Sequence, residues 1–258
     1  MPLQESVGIH DEVFKTQLGL MPLSGVTERY GIEGLYKRFS LEIADFAVED
    51  QYFCNRALYV VSVLHRDDPY KGLPYTSHLI RTAIRLIRDY EVTDPEVISA
   101  MLLHDSVEDH AKELAEFAPT VDLDKTTVTE RALAAVAMSF SGRVAGLVQN
   151  VTNAPNSQTL SQEQKNLAYA LGVAEKIAKS PETFLMKLSD FTDNAVGILW
   201  SEQTGKVRKL ATKYLPVFDV FLSQLSIYEQ SGQLTLSQIT TAQQQLYLGK
   251  QRCFALAA

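Results

Sequence analysis

Residues 94–109 read D-P-E-V-I-S-A-M-L-L-H-D-S-V-E-D, and this stretch combines a clear helical pattern with a group of ionisable residues. Asp94, Pro95 and Glu96 stand in the order of an N-cap, a proline in the first turn and an early carboxylate, which together mark a helix start. Apolar residues then recur at the spacing of one helix face; they are Val97, Ile98, Met101 and Leu102. The stretch therefore predicts an amphipathic helix.

Ionisable side chains continue that apolar face. On one uninterrupted helix, the spacing of three and four residues leads to His104, Asp105 and Glu108. Burial of an unpaired carboxylate is strongly unfavourable, so such a cluster needs a cation or a hydrogen-bonded partner. We expect a metal ion there, with further ligands from elsewhere in the chain.

Two other segments offer those ligands. His78 begins a helix predicted over residues 77–90, and Asp190 lies in a helix that opens with Ser-Pro-Glu. On that second helix Lys187, Asp190 and Asn194 are spaced so that they form one polar stripe beside apolar positions. The stripe is typical of a pocket wall.

The rest of the chain predicts an all-α, multi-helix bundle, because helical spacing recurs from about residue 39 to residue 225 and alternating runs are scarce. With 24 Lys+Arg against 31 Asp+Glu among 258 residues, the net charge of −7 argues against binding to nucleic acid or anionic lipid. No stretch approaches the roughly 18 apolar residues of a membrane span, and the first residues lack a signal-peptide pattern. We expect a cytoplasmic protein with no membrane contact.

Four segments, taken in order, resemble the HD-domain hydrolases of the RelA/SpoT type, the 3′-pyrophosphohydrolases of guanosine tetra- and pentaphosphate alarmones. The segments are L-P-Y-T-S-H (73–78), A-M-L-L-H-D-S-V-E-D (100–109), V-A-G-L-V-Q-N-V-T (144–152) and F-L-M-K-L-S-D-F-T-D-N (184–194). The resemblance runs from about residue 56 to residue 225. It implies an HD hydrolase domain over 46–228, an N-terminal extension of unknown role over 1–45 and a C-terminal helical tail over 229–258.

The resemblance also implies roles for individual residues. Four would bind one divalent ion, usually Mn²⁺ in this family: His78, His104, Asp105 and Asp190. Glu108 and Asp109 match the family's catalytic acidic pair. Asn194 matches a family residue near the ribose and phosphate, and Arg66 and Lys71 would substitute for the family's Arg-Lys pair. The alternatives for Lys187 are a substrate phosphate contact and a pair with Asp190. Imidazole and carboxylate ligands without thiolate suit Mn²⁺, with Zn²⁺ or Fe²⁺ open on ligand type alone.

The chain departs from the family pattern in its cations. Phe191 stands where the family has an arginine, and the helix before Asp190 lacks the family's basic residues. The residues leave base preference open, so the alternatives are the same chemistry on adenosine alarmones (ppApp) or another nucleotide, and a non-catalytic, antitoxin-like HD-fold regulatory module. Only about 30 residues follow residue 228, which is too short for a synthetase domain, so we expect a stand-alone small alarmone hydrolase.

Two surface features complete the expectations. The stripe formed by Arg81, Arg85 and Arg88 faces away from the apolar positions of its helix and predicts a solvated face, with Arg81, one turn from His78, the only member that could approach the pocket. The Gln-rich, moderately amphipathic tail beyond residue 228 predicts a terminal helix that supports homo-oligomer formation.

Overall fold

The computed structural model describes residues 3–70, 72–118, 126–153, 161–197 and 204–257. Within these ranges the chain forms thirteen helices and one short antiparallel hairpin, so the predicted all-α, multi-helix bundle is confirmed. The helices are α1 (Leu3–Leu20), α2 (Leu23–Glu42), α3 (Val48–Leu64), α4 (Thr76–Asp89), α5 (Pro95–Leu102), α6 (Ser106–Asp109), α7 (Ala111–Ala115), α8 (Val128–Ser139), α9 (Gly142–Val151), α10 (Gln162–Ile177), α11 (Pro181–Gly197), α12 (Thr204–Gln230) and α13 (Leu236–Ala257). None of these described helices has the length and apolar character needed to cross a membrane.

Four helices hold the centre of the bundle. α4 packs against α5 and α11, and α9 packs against both α5 and α11. α4 is strongly amphipathic and buries most of one face, including Leu79, Ile80 and Ile84. The hairpin that precedes α4 pairs β1 (Pro69–Tyr70) with β2 (Leu73–Pro74), and Gly72 adopts a φ of +83° in its turn. The hairpin therefore delivers the chain directly to the N-terminus of α4.

The N-terminal helices join the same core. α2 packs against α4 and buries Val26, Leu35 and Phe39. Arg38 is also buried, where its guanidinium donates to the carbonyl oxygens of Leu18 and Met21 and pairs with Glu42. Because these carbonyls lie at the C-terminal end of α1, Arg38 satisfies acceptors that the helix leaves unpaired.

The helix that begins at Asp94 ends earlier than the sequence predicts. Asp94 caps α5 as expected, since its carboxylate accepts from the Glu96 amide at 2.9 Å. The predicted continuation through Glu108 is wrong, because α5 ends at Leu102 and residues 103–105 form a turn. His104 Nδ1 donates to the Met101 carbonyl at 2.7 Å. In an unbroken helix that carbonyl would accept from the backbone amide of residue 105. The break leaves His104 and Asp105 free to face the same space.

The last helix packs tightly on its neighbour. α13 lies along α12 and buries Ile239, Ala242 and Leu246. A methyl group added at Gly249 would stand 2.7 Å from a ring carbon of Phe218 on α12. The two helices therefore approach too closely for any side chain at residue 249.

We expect Gly249→Ala to lower the free energy of unfolding by about 1–2 kcal/mol, because overpacking outweighs the better helix propensity of alanine. Gly172→Ala in α10 is the matched control, since nothing lies within 4 Å of the added methyl group. The free energy of unfolding of that variant should rise by up to about 1 kcal/mol. Denaturant unfolding measures both, and equal stabilisation of the two variants would contradict the close packing of α13 on α12.

Candidate metal centre

Three parts of the chain bring the four predicted metal ligands together. His78 lies on α4, His104 and Asp105 lie in the turn after α5, and Asp190 lies on α11. His104 Nε2 is 3.0 Å from Asp105 Oδ2, and His78 Nε2 is 3.7 Å from the same oxygen. Asp190 Oδ1 is 3.5 Å from His78 Nε2 and 3.8 Å from His104 Nε2. Donors about 2.1 Å from one ion lie about 3.0–3.4 Å apart, so these separations are close to those around a single cation.

The two histidines are oriented as metal ligands. His78 Nδ1 is 2.8 Å from Asp193 Oδ2, and His104 Nδ1 is 2.7 Å from the Met101 carbonyl. With each Nδ1–H donating to an oxygen, each Nε2 faces the carboxylates and would offer its lone pair to a bound cation. His104 Nε2 is buried, and the nearby Asp105 carboxylate raises the pKa of His104. Buried imidazole lone pairs beside carboxylate oxygens fit a divalent metal ion.

Asp193 is a site residue that the sequence reasoning missed. Arg81 Nε and Nη2 donate to its two carboxylate oxygens at 2.9 and 2.8 Å, and Arg85 Nη2 adds a contact at 3.3 Å. Although burial opposes ionisation, the Arg81 guanidinium holds the pKa of Asp193 well below its ordinary value. The only sequence signal was its position one helical turn after Asp190.

The arginine stripe is therefore not a solvated face along its whole length. The prediction is wrong for Arg81 and Arg85, whose side chains are only 12% and 11% exposed. It holds for Arg88, which is exposed. The physical reason is Asp193, a buried carboxylate that requires cations from the facing helix.

The predicted substrate contacts fall in different places. Lys187 is buried and donates to Asp190 Oδ2 at 2.9 Å, and this carboxylate outweighs burial and raises the pKa of Lys187. Asn194 donates to Asp190 Oδ1 at 2.6 Å and accepts from the Tyr70 hydroxyl at 3.0 Å. Arg66 is 74% exposed with Nε 3.5 Å from Asp67 Oδ2, and Lys71 lies outside the described residues. Contact of these four residues with substrate stays a prediction.

The predicted catalytic pair occupies two unlike environments. Glu108 is held in place, since its carboxylate accepts from the Asn153 amide at 3.0 Å and from Asn153 Nδ2 at 3.0 Å. The Asp109 carboxylate makes no hydrogen bond within the described residues. Burial, followed by repulsion from Asp105 and Glu108, raises the pKa of Asp109 to about 6. One carboxylate is thus held by hydrogen bonds, and the other has a raised pKa.

Aromatic side chains wall the centre on the hairpin side. The Tyr75 hydroxyl donates to Asp105 Oδ2 at 2.7 Å, and the Tyr70 ring lies 4.9 Å from the ring of His78. Tyr75 also stacks on His65 with ring centroids 4.9 Å apart. These contacts orient Asp105 and shield His78 from water. The Pro-Tyr before the first ligand histidine was the sequence signal for Tyr75.

A second group of His and Asp residues lies next to this wall. Asp68 Oδ2 is 2.8 Å from His65 Nδ1 and 2.7 Å from His110 Nε2. These separations are hydrogen-bond lengths and are shorter than the spacing of donors around one ion. The hydrogen bond from His110, followed by that from His65, lowers the pKa of Asp68. The group therefore ties the start of the hairpin to the segment after Asp109, and its three side chains could also hold a metal ion.

Comparison with known proteins identifies several relatives. A guanosine-3′,5′-bis(diphosphate) 3′-pyrophosphohydrolase of Aquifex aeolicus is 28% identical over 163 residues, which are 63% of this chain and 20% of that protein. The human protein of that name, MESH1, is 30% identical over 150 residues, 58% of this chain and 64% of MESH1. Drosophila melanogaster MESH1 is 30% identical over 150 residues, 58% of this chain and 69% of that protein.

The chain belongs to the guanosine-3′,5′-bis(diphosphate) 3′-pyrophosphohydrolase family that includes MESH1. The resemblance drawn from the motifs is thereby confirmed. No family model matches the chain. The match covers only about a fifth of two longer relatives. It covers 20% of the Aquifex aeolicus protein and 22% of a probable guanosine-3′,5′-bis(diphosphate) 3′-pyrophosphohydrolase of Mycoplasma genitalium.

We expect Asp193→Asn to weaken divalent metal binding by 10-fold or more, because the outer hydrogen-bond partner of a ligand histidine sets its orientation and basicity. Titration calorimetry with Mn²⁺ or Zn²⁺ measures the affinity. Asp68→Asn is the control, since Asp68 also bonds histidines but not those of the metal centre. Equal affinity of the Asp193 variant and the parent chain would contradict the role of Asp193.

Asp109→Asn should stabilise the metal-free chain at neutral pH. Because the pKa of Asp109 is raised from 3.8 to about 6, ionisation destabilises the folded state, and the cost develops as the pH rises from about 4 to about 6. Because solvent screens this exposed side chain, we expect Asp109→Asn to raise the free energy of unfolding by only about 1 kcal/mol at pH 8. Thermal unfolding at pH 4 and pH 8 tests the difference.

Glu116→Gln, which alters another exposed carboxylate, is the control for that measurement. The Glu116 variant should show no increase in stability over the parent chain that grows with pH. If Asp109→Asn raised the stability equally at pH 4 and pH 8, ionisation of Asp109 would not be what destabilises the folded chain.

Proposed function

We propose that the chain is a metal-dependent 3′-pyrophosphohydrolase of guanosine alarmones, which converts ppGpp or pppGpp to GDP or GTP and pyrophosphate. The cluster of His78, His104, Asp105 and Asp190 is the observation that carries the proposal. Family membership supports the substrate, because relatives are named as hydrolases of guanosine-3′,5′-bis(diphosphate).

The cluster suits Mn²⁺, since it offers two imidazole nitrogens and carboxylate oxygens without a thiolate. His78, His104, Asp105 and Asp190 would hold the ion. When bound, a divalent ion supplies positive charge that polarises a phosphoryl oxygen and lowers the pKa of a water molecule. Tyr75 and Asn194 hold Asp105 and Asp190 in place through hydrogen bonds of 2.7 and 2.6 Å.

Proton transfer falls to the acidic pair. A water oxygen bonds to the phosphorus attached to the 3′ oxygen, the bond between that phosphorus and the 3′ oxygen breaks, and the departing 3′ oxygen takes up a proton. We assign the water proton to Asp109, whose pKa of about 6 suits a base that works near neutral pH. Glu108, fixed by Asn153, would orient the water.

Substrate contacts follow from position and charge. Asn194 has an amide beside Asp190 that can reach an oxygen without adding charge, and Lys187 brings an ammonium to the same carboxylate. Arg66 precedes the hairpin and is exposed, so its guanidinium is free to meet a phosphate group, and Lys71 would add a second cation.

The remaining expectations stay predictions. They are a cytoplasmic location, no nucleic-acid partner and a homo-oligomer formed through the tail. Exposed apolar side chains on α13 support the last of these; they are Leu236, Tyr247, Leu248 and Phe254.

The experiment is product analysis by anion-exchange chromatography. The chain is stripped of metal, given Mn²⁺ and incubated with guanosine and adenosine 3′-diphosphate substrates side by side. We expect Mn²⁺-dependent release of pyrophosphate from the guanosine substrates. Bound metal with no release from either substrate would overturn the proposal, and release from the adenosine substrate alone would reassign the base.

Two substitutions separate metal binding from proton transfer. Asp105→Ala should abolish both metal binding and turnover, because it removes a ligand. Asp109→Asn should keep the metal and lower turnover by roughly 10²-fold or more, the usual effect of losing a general base. Glu108→Gln should lower turnover less than Asp109→Asn does, because Asn153 can still donate to the amide oxygen. Unchanged turnover in Asp109→Asn would exclude Asp109 as the base.

A further inference from the structure

Two half-buried lysines flank the metal centre from helices that carry none of its ligands. Lys213 lies on α12, where its ammonium sits 4.1 Å from the ring centroid of Tyr169 and 5.2 Å from that of Tyr214. Within the described residues it makes no ion pair. Tyr214 contacts Phe191 edge-on at 5.5 Å, which is the residue after Asp190. Tyr214 and Phe191 therefore connect Lys213 to the turn of α11 that carries Asp190.

Lys176 approaches the centre from α10. Its ammonium donates to the Asn153 side-chain oxygen and, at 3.3 Å, to the Val151 carbonyl. Asn153 in turn donates to Glu108. The contacts thus run from Lys176 through the Asn153 side chain to the Glu108 carboxylate. Both partners of the ammonium are neutral oxygens.

Charges of both signs act on these two ammonium groups, and none of the carboxylates pairs directly with either one within the described residues. Glu108 and Asp190 are the carboxylates that act on both, and Lys187, already paired with Asp190, repels both. Burial and this repulsion lower the pKa of Lys176 to about 8, and burial lowers the pKa of Lys213. A half-buried ammonium with only neutral or aromatic partners is stabilised when an anion joins it.

Tyr169 adds an independent observation at the same place. Its hydroxyl makes no hydrogen bond within the described residues, although most of the side chain is shielded from water. The charges that act on this hydroxyl are those of Lys187, Asp190 and Glu108, in that order. Because Lys213 lies 4.1 Å from the same ring, the hydroxyl and the ammonium can both donate to one ligand.

We propose that Lys176, Lys213 and the Tyr169 hydroxyl form an anion subsite that binds the phosphate groups of the nucleotide and the pyrophosphate product. The inference rests on the proposed function and adds residues to it. Lysine ammonium groups suit a diphosphate because each is a compact charge with three donors on a flexible stem. A ligand with several linked phosphates offers more acceptor oxygens and more charge to two lysines than one orthophosphate does, so the subsite favours pyrophosphate.

The test is titration calorimetry of inorganic pyrophosphate into the Mn²⁺-loaded full chain after free metal has been removed. Lys176→Met and Lys213→Met keep the apolar stem and remove the charge. Each should weaken pyrophosphate binding by 10-fold or more without changing Mn²⁺ affinity or Tm. Lys213→Arg should retain most of the affinity. Lys209→Met, which alters an exposed lysine one turn away on α12, is the matched control and should bind as the parent does.

Alarmone turnover by the same variants distinguishes failure of the subsite from failure of the proposed function. If the parent chain cleaves the alarmone and both methionine variants keep its KM and its pyrophosphate affinity, the subsite proposal is overturned and the hydrolase proposal stands. Pyrophosphate binding that depends on both lysines, in a parent chain that cleaves no alarmone, supports the subsite and overturns the hydrolase. No pyrophosphate binding by the parent chain overturns the subsite.

Discussion

Compensation of buried negative charge is the constraint that places the central helices. Asp105, Asp190 and Asp193 lie in the interior of a helical bundle, where an unpaired carboxylate would be strongly destabilising. Arg81 compensates Asp193 across the α4–α11 contact, and Lys187 compensates Asp190 within α11. Because the Arg81–Asp193 pair needs close contact, α4 and α11 cannot shift against each other without leaving the Asp193 carboxylate unpaired. The same packing sets the spacing of the metal donors.

The turn after α5 shows how the backbone serves that arrangement. Consecutive residues on a helix point about 100° apart, so His104 and Asp105 could not both have met one ion from the centre of an unbroken face. Ending α5 at Leu102 frees them, and the His104 ring itself takes the Met101 carbonyl that the helix gives up. One hydrogen bond therefore ends the helix and fixes which ring nitrogen faces the carboxylates.

The sequence predicted what depends on local pattern and missed what depends on contact between helices. Cap signals at Asp94 and helical spacing are local, so the all-α fold and the start of α5 were predictable. Arg81 and Arg85 were misjudged because periodicity places a residue on a helix face but does not identify what packs against that face. The carboxylate that draws these arginines inward is over one hundred positions away, at Asp193. The lysines of α10 and α12 were missed for the same reason.

The cations near the centre divide into two kinds by their partners. Arg81 and Lys187 hold carboxylates and are committed to the fold, whereas Lys176 and Lys213 contact amide, carbonyl or aromatic groups. Only charges of the second kind can be given to a ligand without leaving a buried carboxylate unpaired. This division explains how a chain with a net charge of −7 can offer a local site to a multiply charged anion. It also explains why the family's missing arginine at Phe191 need not remove phosphate binding, since cations reach the centre from other helices.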